Sequence, residues 1–352
     1  MTYRVIQWAS GNVGTKAVQA VLGNPDLELV GLYVHSAGKH GQDVGDICGL
    51  GRQIGVKATS SLDDILAMEA DCVLHMPLPS LIWGNDPGAD TENLIRLLES
   101  GKNVITTVGY LYPKAYGAEI ESRLSAAALK GGVSLHGTGL NPGFIGDLTP
   151  LVLSSMSRRI DQVYVTEISN FAYYPAPDIM MGMMRMGQTP DQFEASAGRL
   201  KLWLGGLFRE SVMMVADGLG CPLDEIVETY ELALADESFT VAAGTIAAGR
   251  VAGQHWTWTG LKDGRARVVH ETVWRMHHSV APHWAQGPNS VVIAGEPTMR
   301  LELGETWLDD PLGATAWHAV NAIGAVCDAK PGIRTFLDLP LILGQNTMGP
   351  RA

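Results

Sequence analysis

The sequence predicts an α/β protein, in which an N-terminal, doubly wound and mostly parallel sheet is followed by an α+β domain with longer strands. Three observations carry this. Residues 5–14 read V-I-Q-W-A-S-G-N-V-G, an apolar strand that runs straight into a glycine turn. Short apolar runs then alternate with helix-periodic segments as far as residue 136. Beyond Asp147 the pattern changes to longer runs of strand character.

In the opening turn Ala9, Gly11 and Gly14 hold the spacing G-x-G-x-x-G, with alanine in the first slot. Gly11 lets backbone approach a pyrophosphate. Gly14 lets the next helix pack closely on its strand and aim its N-terminal N–H groups at the phosphates. A helix over 15–23 and a second strand over 27–34 supply the β-turn-α-β setting the motif requires. A dinucleotide-binding domain of Rossmann type is expected, with Ser10, Gly11, Asn12, Val13 and Gly14 at the cofactor. NAD-selective sites place Asp or Glu after the second strand to bind the ribose hydroxyls. Residues 33–40 contain no acid, and Ser36 and Lys39 offer a hydroxyl and a cation suited to a 2′-phosphate. The expected cofactor is NADP, with NAD possible.

A glycine-rich loop over 38–55 leads to a short strand at Val56 and Lys57 and a helix over 62–68. A central strand over 71–76 stops at Pro77 and Pro79. A helix over 91–100, a buried strand over 103–107, a helix over 116–130 and a strand over 133–136 complete the sheet. Ligands of open α/β sheets sit beyond the carboxyl ends of the strands, so Met76, Pro77, Thr107, Gly109 and Asn141 are expected around the nicotinamide. Further on, 162–171, 226–235, 244–259, 266–277 and 290–303 read as strands. Val268, His270, Thr272 and Trp274 share one side, and Val269, Glu271 and Val273 the other, which predicts an antiparallel sheet with one covered face. A Met-rich stretch over 179–186 and a helix over 190–218 form its helical layer or a pocket wall. A helix over 315–329, stopped by Pro331 and Gly332, returns to the first domain. The expected domains are 1–145 and 146–312, with 313–352 as the returning tail.

A hydrophobic content of 46% over 352 residues supports two cores. A net charge of -12 argues against nucleic acid and membrane surfaces and leaves a small-molecule substrate. Cys48, Cys72, Cys221 and Cys327 form no C-x-x-C pair, and neither a signal peptide nor a membrane-length run is present, so a reduced, cytoplasmic protein is expected. His255, His270, His277 and His283 lack compact ligand spacing, and no metal is expected.

W-A-S-G-N-V-G at 8–14, L-V-G-L-Y-V at 29–34, G-T-G-L-N-P-G-F at 137–144 and V-N-A-I-G-A-V-C-D-A-K-P-G-I-R-T at 320–335 together identify a resemblance. The chain resembles the dihydrodipicolinate reductase-like superfamily over nearly its whole length. Within it, the chain is similar to the NAD(P)-dependent amine dehydrogenase group that includes 2,4-diaminopentanoate dehydrogenase. The resemblance implies a Rossmann domain, a C-terminal substrate domain, a homodimer, and hydride transfer to an imine or carbonyl between the domains. Two departures refine it. Dihydrodipicolinate reductases follow a histidine pair with lysine and an S-G-T anion loop, whereas Ser279, Val280 and Ala281 follow His277 and His278 here. The amine dehydrogenase loop T-T-C-E-E-L supplies a glutamate, whereas this chain has Thr106, Thr107, Val108, Gly109, Tyr110 and Leu111.

Making an amine from a ketone and ammonia needs a carboxylate to handle the ammonia protons. Its loss from the loop predicts reduction of a C=O or C=N bond in a small, fairly apolar molecule. Asn141 would orient the nicotinamide amide or the substrate, and Tyr110 would donate the proton with a cation such as Lys114 nearby. Phe144, Tyr173, Tyr174 and Met180 are the expected substrate pocket, with Trp256, Trp258 and Trp274 as further walls. Two alternatives stand beside this reading. One is an amine dehydrogenase drawing its acid from Glu167 or Asp147, and the other a non-catalytic NADP-binding sensor.

Overall fold

Val5–Ile6, Cys72–Val73 and Val104–Ile105 are consecutive apolar pairs, and successive side chains of a strand point to opposite faces, so their sheet has to be covered on both. The computed structural model describes residues 2–304 and 307–348. The chain divides into two units, residues 1–144 with 310–352, and residues 145–309.

In the first unit β1 (Tyr3–Trp8), β2 (Leu27–Tyr33), β3 (Ala58–Thr59), β4 (Cys72–His75), β5 (Asn103–Thr106) and β6 (Ser134–Gly137) form a parallel sheet in the order β6-β5-β4-β1-β2-β3. The chain's last strand, Gly332–Ile333, joins outside β6 as a seventh. The apolar pairs divide as the geometry demands. Val5, Cys72 and Ile105 enter one core with Ala17, Val18 and Val21 of α1 (Asn12–Leu22) and with Ala316, Ala319, Val320 and Val326 from the C-terminal segment. Ile6, Val73 and Val104 enter the other. There they meet Ile65, Leu94, Leu97, Leu98 and Leu124. The helices of this stretch are α2 (Val44–Ile47), α3 (Leu62–Ala67), α4 (Ser80–Trp83), α5 (Ala89–Glu99) and α6 (Ala118–Gly131).

The loop over 38–55 contains α2, organised by the buried carboxylate of Asp43, which accepts backbone N–H bonds from Gly45, Ile54 and Gly55. The third strand forms at Ala58 and Thr59 rather than at Val56 and Lys57, because the N–H of Val44 takes the Val56 carbonyl and Lys57 bridges to Asp43.

The second unit carries α7 (Thr149–Ser154), β7 (Arg159–Asn170), α8 (Pro190–Ser196), α9 (Gly198–Gly218), β8 (Glu225–Leu234), the hairpin β9 (Phe239–Val241) and β10 (Gly244–Ile246), β11 (Val251–Lys262), β12 (Arg265–Arg275), β13 (Asn289–Glu296) and β14 (Met299–Leu303). Its six-stranded sheet runs β14-β13-β7-β12-β11-β8. β7 and β12 are parallel, which corrects the expectation of an antiparallel sheet: alternation records which face is covered and carries no strand direction. The one-sided cover is corrected for β12 as well, since it is buried along both faces. The helix expected over 190–218 is two, separated at Ala197. The first is closed by a capping box in which Thr189 and Gln192 exchange side-chain-to-backbone bonds. The C-terminal helix is likewise two, α10 (Pro311–Asn321) and α11 (Ile323–Cys327), and Gly332 opens β15 (Gly332–Ile333). No helix among the described residues is long and apolar enough to cross a membrane.

Candidate functional site

The β1–α1 turn is built for an anion. A Cβ on Gly14 would lie 2.2 Å from the Ala9 carbonyl oxygen, so that position accepts only glycine. A Cβ on Gly11 would meet nothing within 4 Å, which leaves its backbone open to an incoming group. No side chain caps α1, and Gly11 and Asn12 are exposed at its first turn. Its N-terminal N–H groups therefore keep their capacity for a phosphate. Beneath the turn the buried Gln7 amide donates to the carbonyls of Trp8 and Ala9, both at 3.1 Å. Val13 is half-buried, packed against the edge of the core. Ala9, in the first glycine slot, has φ 76°.

Past β2, the Lys39 Nζ donates to Ser10 Oγ at 3.1 Å, bringing two expected phosphate ligands from separate loops together. Ser36 is exposed at the start of the same short turn. Tyr33 stacks on Trp8 with ring centroids 3.9 Å apart, a floor at the carboxyl ends of β1 and β2.

At the end of β4 Met76 is buried and donates its N–H to the Trp8 carbonyl, so only backbone is presented there; Pro77 is half-buried. His75 before it was not anticipated. Its ring is fully buried, Nδ1 lies 3.1 Å from Thr106 Oγ1, Nε2 lies 4.0 Å from Asp90 Oδ1, and burial pulls its pKa down to about 3. Burial raises the Asp90 carboxyl, although Asp90 accepts the Ser80 N–H at 2.7 Å.

After β5 the Thr107 N–H bonds the His75 carbonyl, Gly109 takes φ 113°, and Tyr110 takes φ 62°. The Tyr110 hydroxyl pairs with Thr91 Oγ1 of α5 at 2.7 Å, and its ring packs on Tyr116. Lys114 Nζ lies 5.8 Å over the Tyr112 ring.

After β6 the chain doubles back. The Phe144 N–H bonds the Gly139 carbonyl, a Cβ on Gly139 would strike the Pro142 oxygen at 2.8 Å, and Gly143 turns at φ 130° against Thr138. Asn141 is half-buried in this fold and Phe144 is exposed at its end. His318 of α10 meets the loop from the far end of the sequence, with Nδ1 2.7 Å from Thr138 Oγ1 and its ring edge-on to Phe144 at 5.8 Å. A histidine inside the apolar helix T-A-W-H-A-V gives no pattern by which sequence reasoning finds it.

In the second unit most expected pocket residues are occupied otherwise. Tyr173 is 89% exposed in a surface turn, whereas Met180 is 3% exposed. Trp256, Trp258 and Trp274 are buried as well: Phe208 of α9 stacks on Trp258 at 4.3 Å, and Tyr230 on Trp256 at 4.6 Å. The first is a core contact between α9 and the sheet, and the second lies between the paired strands β8 and β11. Tyr174 is half-buried edge-on to Phe171. Of the alternative acids, Asp147 is fully buried and accepts the Ser211 hydroxyl at 2.9 Å. Glu167 is half-buried and is oriented by the Trp274 indole N–H at 2.9 Å and the Ser169 hydroxyl at 3.0 Å.

Comparison with known proteins agrees with this architecture. Residues 144–348 match the 2,4-diaminopentanoate dehydrogenase C-terminal domain, and residues 5–86 match the dihydrodipicolinate reductase N-terminus. An amine dehydrogenase of Streptomyces virginiae is 31% identical over 96% of both chains. A 2,4-diaminopentanoate dehydrogenase of Acetoanaerobium sticklandii is 27% identical over 70% of this chain and 68% of its own. The fold matches the solved amine dehydrogenase from Mycobacterium smegmatis with a TM-score of 0.80 at 23% identity, covering 97% of each chain. The chain belongs to the 2,4-diaminopentanoate dehydrogenase family and is an NAD(P)-dependent oxidoreductase.

Proposed function

We propose that the protein uses NADPH to reduce a C=O or C=N bond of a small, fairly apolar substrate without consuming ammonia. The observation that carries this reading is the loop after β5, which has Gly109 and Tyr110 in place of the two glutamates. The glycine turn and the uncapped start of α1 fit a pyrophosphate, and Lys39 with Ser10 and Ser36 fits a 2′-phosphate. When bound, the nicotinamide supplies the hydride. Tyr110 supplies the proton to the developing oxygen or nitrogen anion, and the Thr91 hydroxyl, in contact with it, is the next group along a relay. Asn141 in the folded-back loop orients the carboxamide or the substrate.

The test is NADPH oxidation by the purified protein against hydrophobic ketones, aldehydes and cyclic imines, with and without excess ammonium. Ammonium-independent turnover supports the reading. Turnover that needs ammonium and yields an amine overturns it in favour of reductive amination. That second reading is favoured by the Streptomyces amine dehydrogenase, similar over nearly its full length, and by Glu167, held by two donors with part of its surface exposed. Under it, Glu167→Gln removes the activity. NADPH bound tightly with no turnover on any compound would indicate a sensor. Small molecules as the sole ligands, a homodimer and a cytoplasmic location complete the proposal on the family resemblance; light scattering on the eluting protein tests the dimer.

A further inference from the structure

We propose that His318 is a positioning residue that holds the folded-back loop over residues 138–144 in the shape its cofactor contact requires. The inference rests on the reading that this loop, at the carboxyl end of β6, borders the nicotinamide. His318 and the loop lie in the same unit but 174 or more residues apart in sequence, so the contact is a tertiary choice of the fold.

Three observations place His318 in that role. Its Nδ1 sits 2.7 Å from Thr138 Oγ1, and the backbone N–H of Thr138 in turn bonds the Thr106 carbonyl at the end of β5, which ties the loop's first residue to the sheet on one side and to α10 on the other. Its ring also meets the loop's last residue, Phe144, and packs on Phe336 from behind, with centroids 5.8 and 5.9 Å away. Both ends of the loop are thus fixed by one imidazole. Between them the chain has no slack, since Gly139 abuts Pro142 and Gly143 abuts Thr138.

The imidazole is held in its neutral form. Burial pulls the pKa of His318 to about 4, and among the described residues no hydrogen-bond partner reaches its buried Nε2. Neighbouring His136 is neutral too, with a pKa pulled by burial to about 4. The Arg334 carbonyl can only accept, so the His136 Nδ1 donates to it at 2.7 Å. A neutral pair places no fixed positive charge beside a cofactor ring that becomes cationic on oxidation.

The test compares His318→Leu, His318→Asn and Thr138→Val by cofactor titration and by turnover. NADPH is titrated against 2′,5′-ADP, which keeps the adenine, ribose and 2′-phosphate but has no nicotinamide; NADH against ADP-ribose is run in parallel. The expected result for His318→Leu is a loss of about tenfold in affinity for the reduced dinucleotide and little change for the fragment lacking nicotinamide. His318→Asn, whose amide reaches Thr138, should recover most of that loss, and His318→Leu with Thr138→Val together should fall no further than either alone. Equal weakening of dinucleotide and fragment, or an unchanged affinity in His318→Leu, overturns the proposal. In an active enzyme His318→Leu should also lower kcat more than it raises the KM of the carbonyl substrate. A wild type without turnover on any carbonyl or imine refutes the reductase reading while the titration still decides the role of His318.

Discussion

Gly11 and Gly14 look alike in the motif but answer to different constraints. Gly14 is required by the protein itself, because its Cβ would overlap the Ala9 carbonyl at 2.2 Å and the Gln7 amide at 2.9 Å. Gly11 has open space around it and φ -75°, an ordinary value for any residue. Gly14→Ala is therefore expected to destabilise the fold by roughly 1–3 kcal/mol, as overpacking does, and to lose cofactor binding with it. Gly11→Ala should melt within a degree or so of wild type yet bind NADPH at least about tenfold more weakly, because its methyl stands where a pyrophosphate approaches. Thermal melts and titrations on the two variants separate the cases; a Gly11→Ala protein with wild-type affinity would mean the phosphates lie elsewhere. Lys39→Ala should weaken NADPH by about 1.5–3 kcal/mol, the worth of a hydrogen bond to a charged group, and leave NADH unchanged. Equal loss for both cofactors would remove the basis for NADP. Both positions were legible because local spacing specifies them. Tyr173 and Met180 were not: an aromatic beside prolines and a methionine run read the same whether they face solvent, a pocket or the core, and only the packed chain distinguishes 89% exposure from 3%.

Among the elements, the strands and the longer helices α1, α5 and α6 of the first unit follow from alternating apolar runs, whereas α2 and α4, four residues each, are too short to show a period, and other errors arise where something non-local decides. The third strand slipped two residues because Asp43 and the Val56 carbonyl are used by the α2 loop. The parallel pairing of β7 with β12 spans about a hundred residues, and no periodicity within either strand encodes it. The α9 layer shows what does fix such an element. Gly260 on β11 stands where α9 crosses, and a Cβ there would come within 2.5 Å of Leu223 and 2.8 Å of Val212. Beside it Phe208 fills the space over Trp258 and His270 at 4.3 and 4.7 Å. Gly260→Ala is expected to cost about 1–3 kcal/mol by forcing the helix off the sheet. A lowered urea midpoint with an unchanged slope would register it, and a midpoint equal to wild type would show that Leu223 and Val212 rotate away freely.

Among the described residues, three buried imidazoles and the half-buried His318 give stability a definite dependence on pH. Burial is the first cause of the depressed pKa in each: about 3 for His75 and His270, and about 4 for His136 and His318. In the unfolded chain a histidine titrates near 6.5. Between those values the unfolded state binds protons that the folded state refuses, so stability rises with pH through this window and is lost as pH falls below about 6.5. Each histidine contributes a limiting slope of about 1.4 kcal/mol per pH unit. Carboxylates held low by their partners, such as Asp310 beside Lys16, add losses of the same sign only at more acid pH. Three of the four histidines lie in the first unit and only His270 in the second, so the two units should not respond alike. Calorimetry between pH 7 and pH 5 should show the transition of the dinucleotide-binding unit moving down further than that of the other unit. His75→Asn should reduce the slope of the first by about one proton whatever it does to the absolute stability. Transitions that move in parallel, or a slope untouched by His75→Asn, would mean that these rings become charged without unfolding and that their burial is not what keeps them neutral.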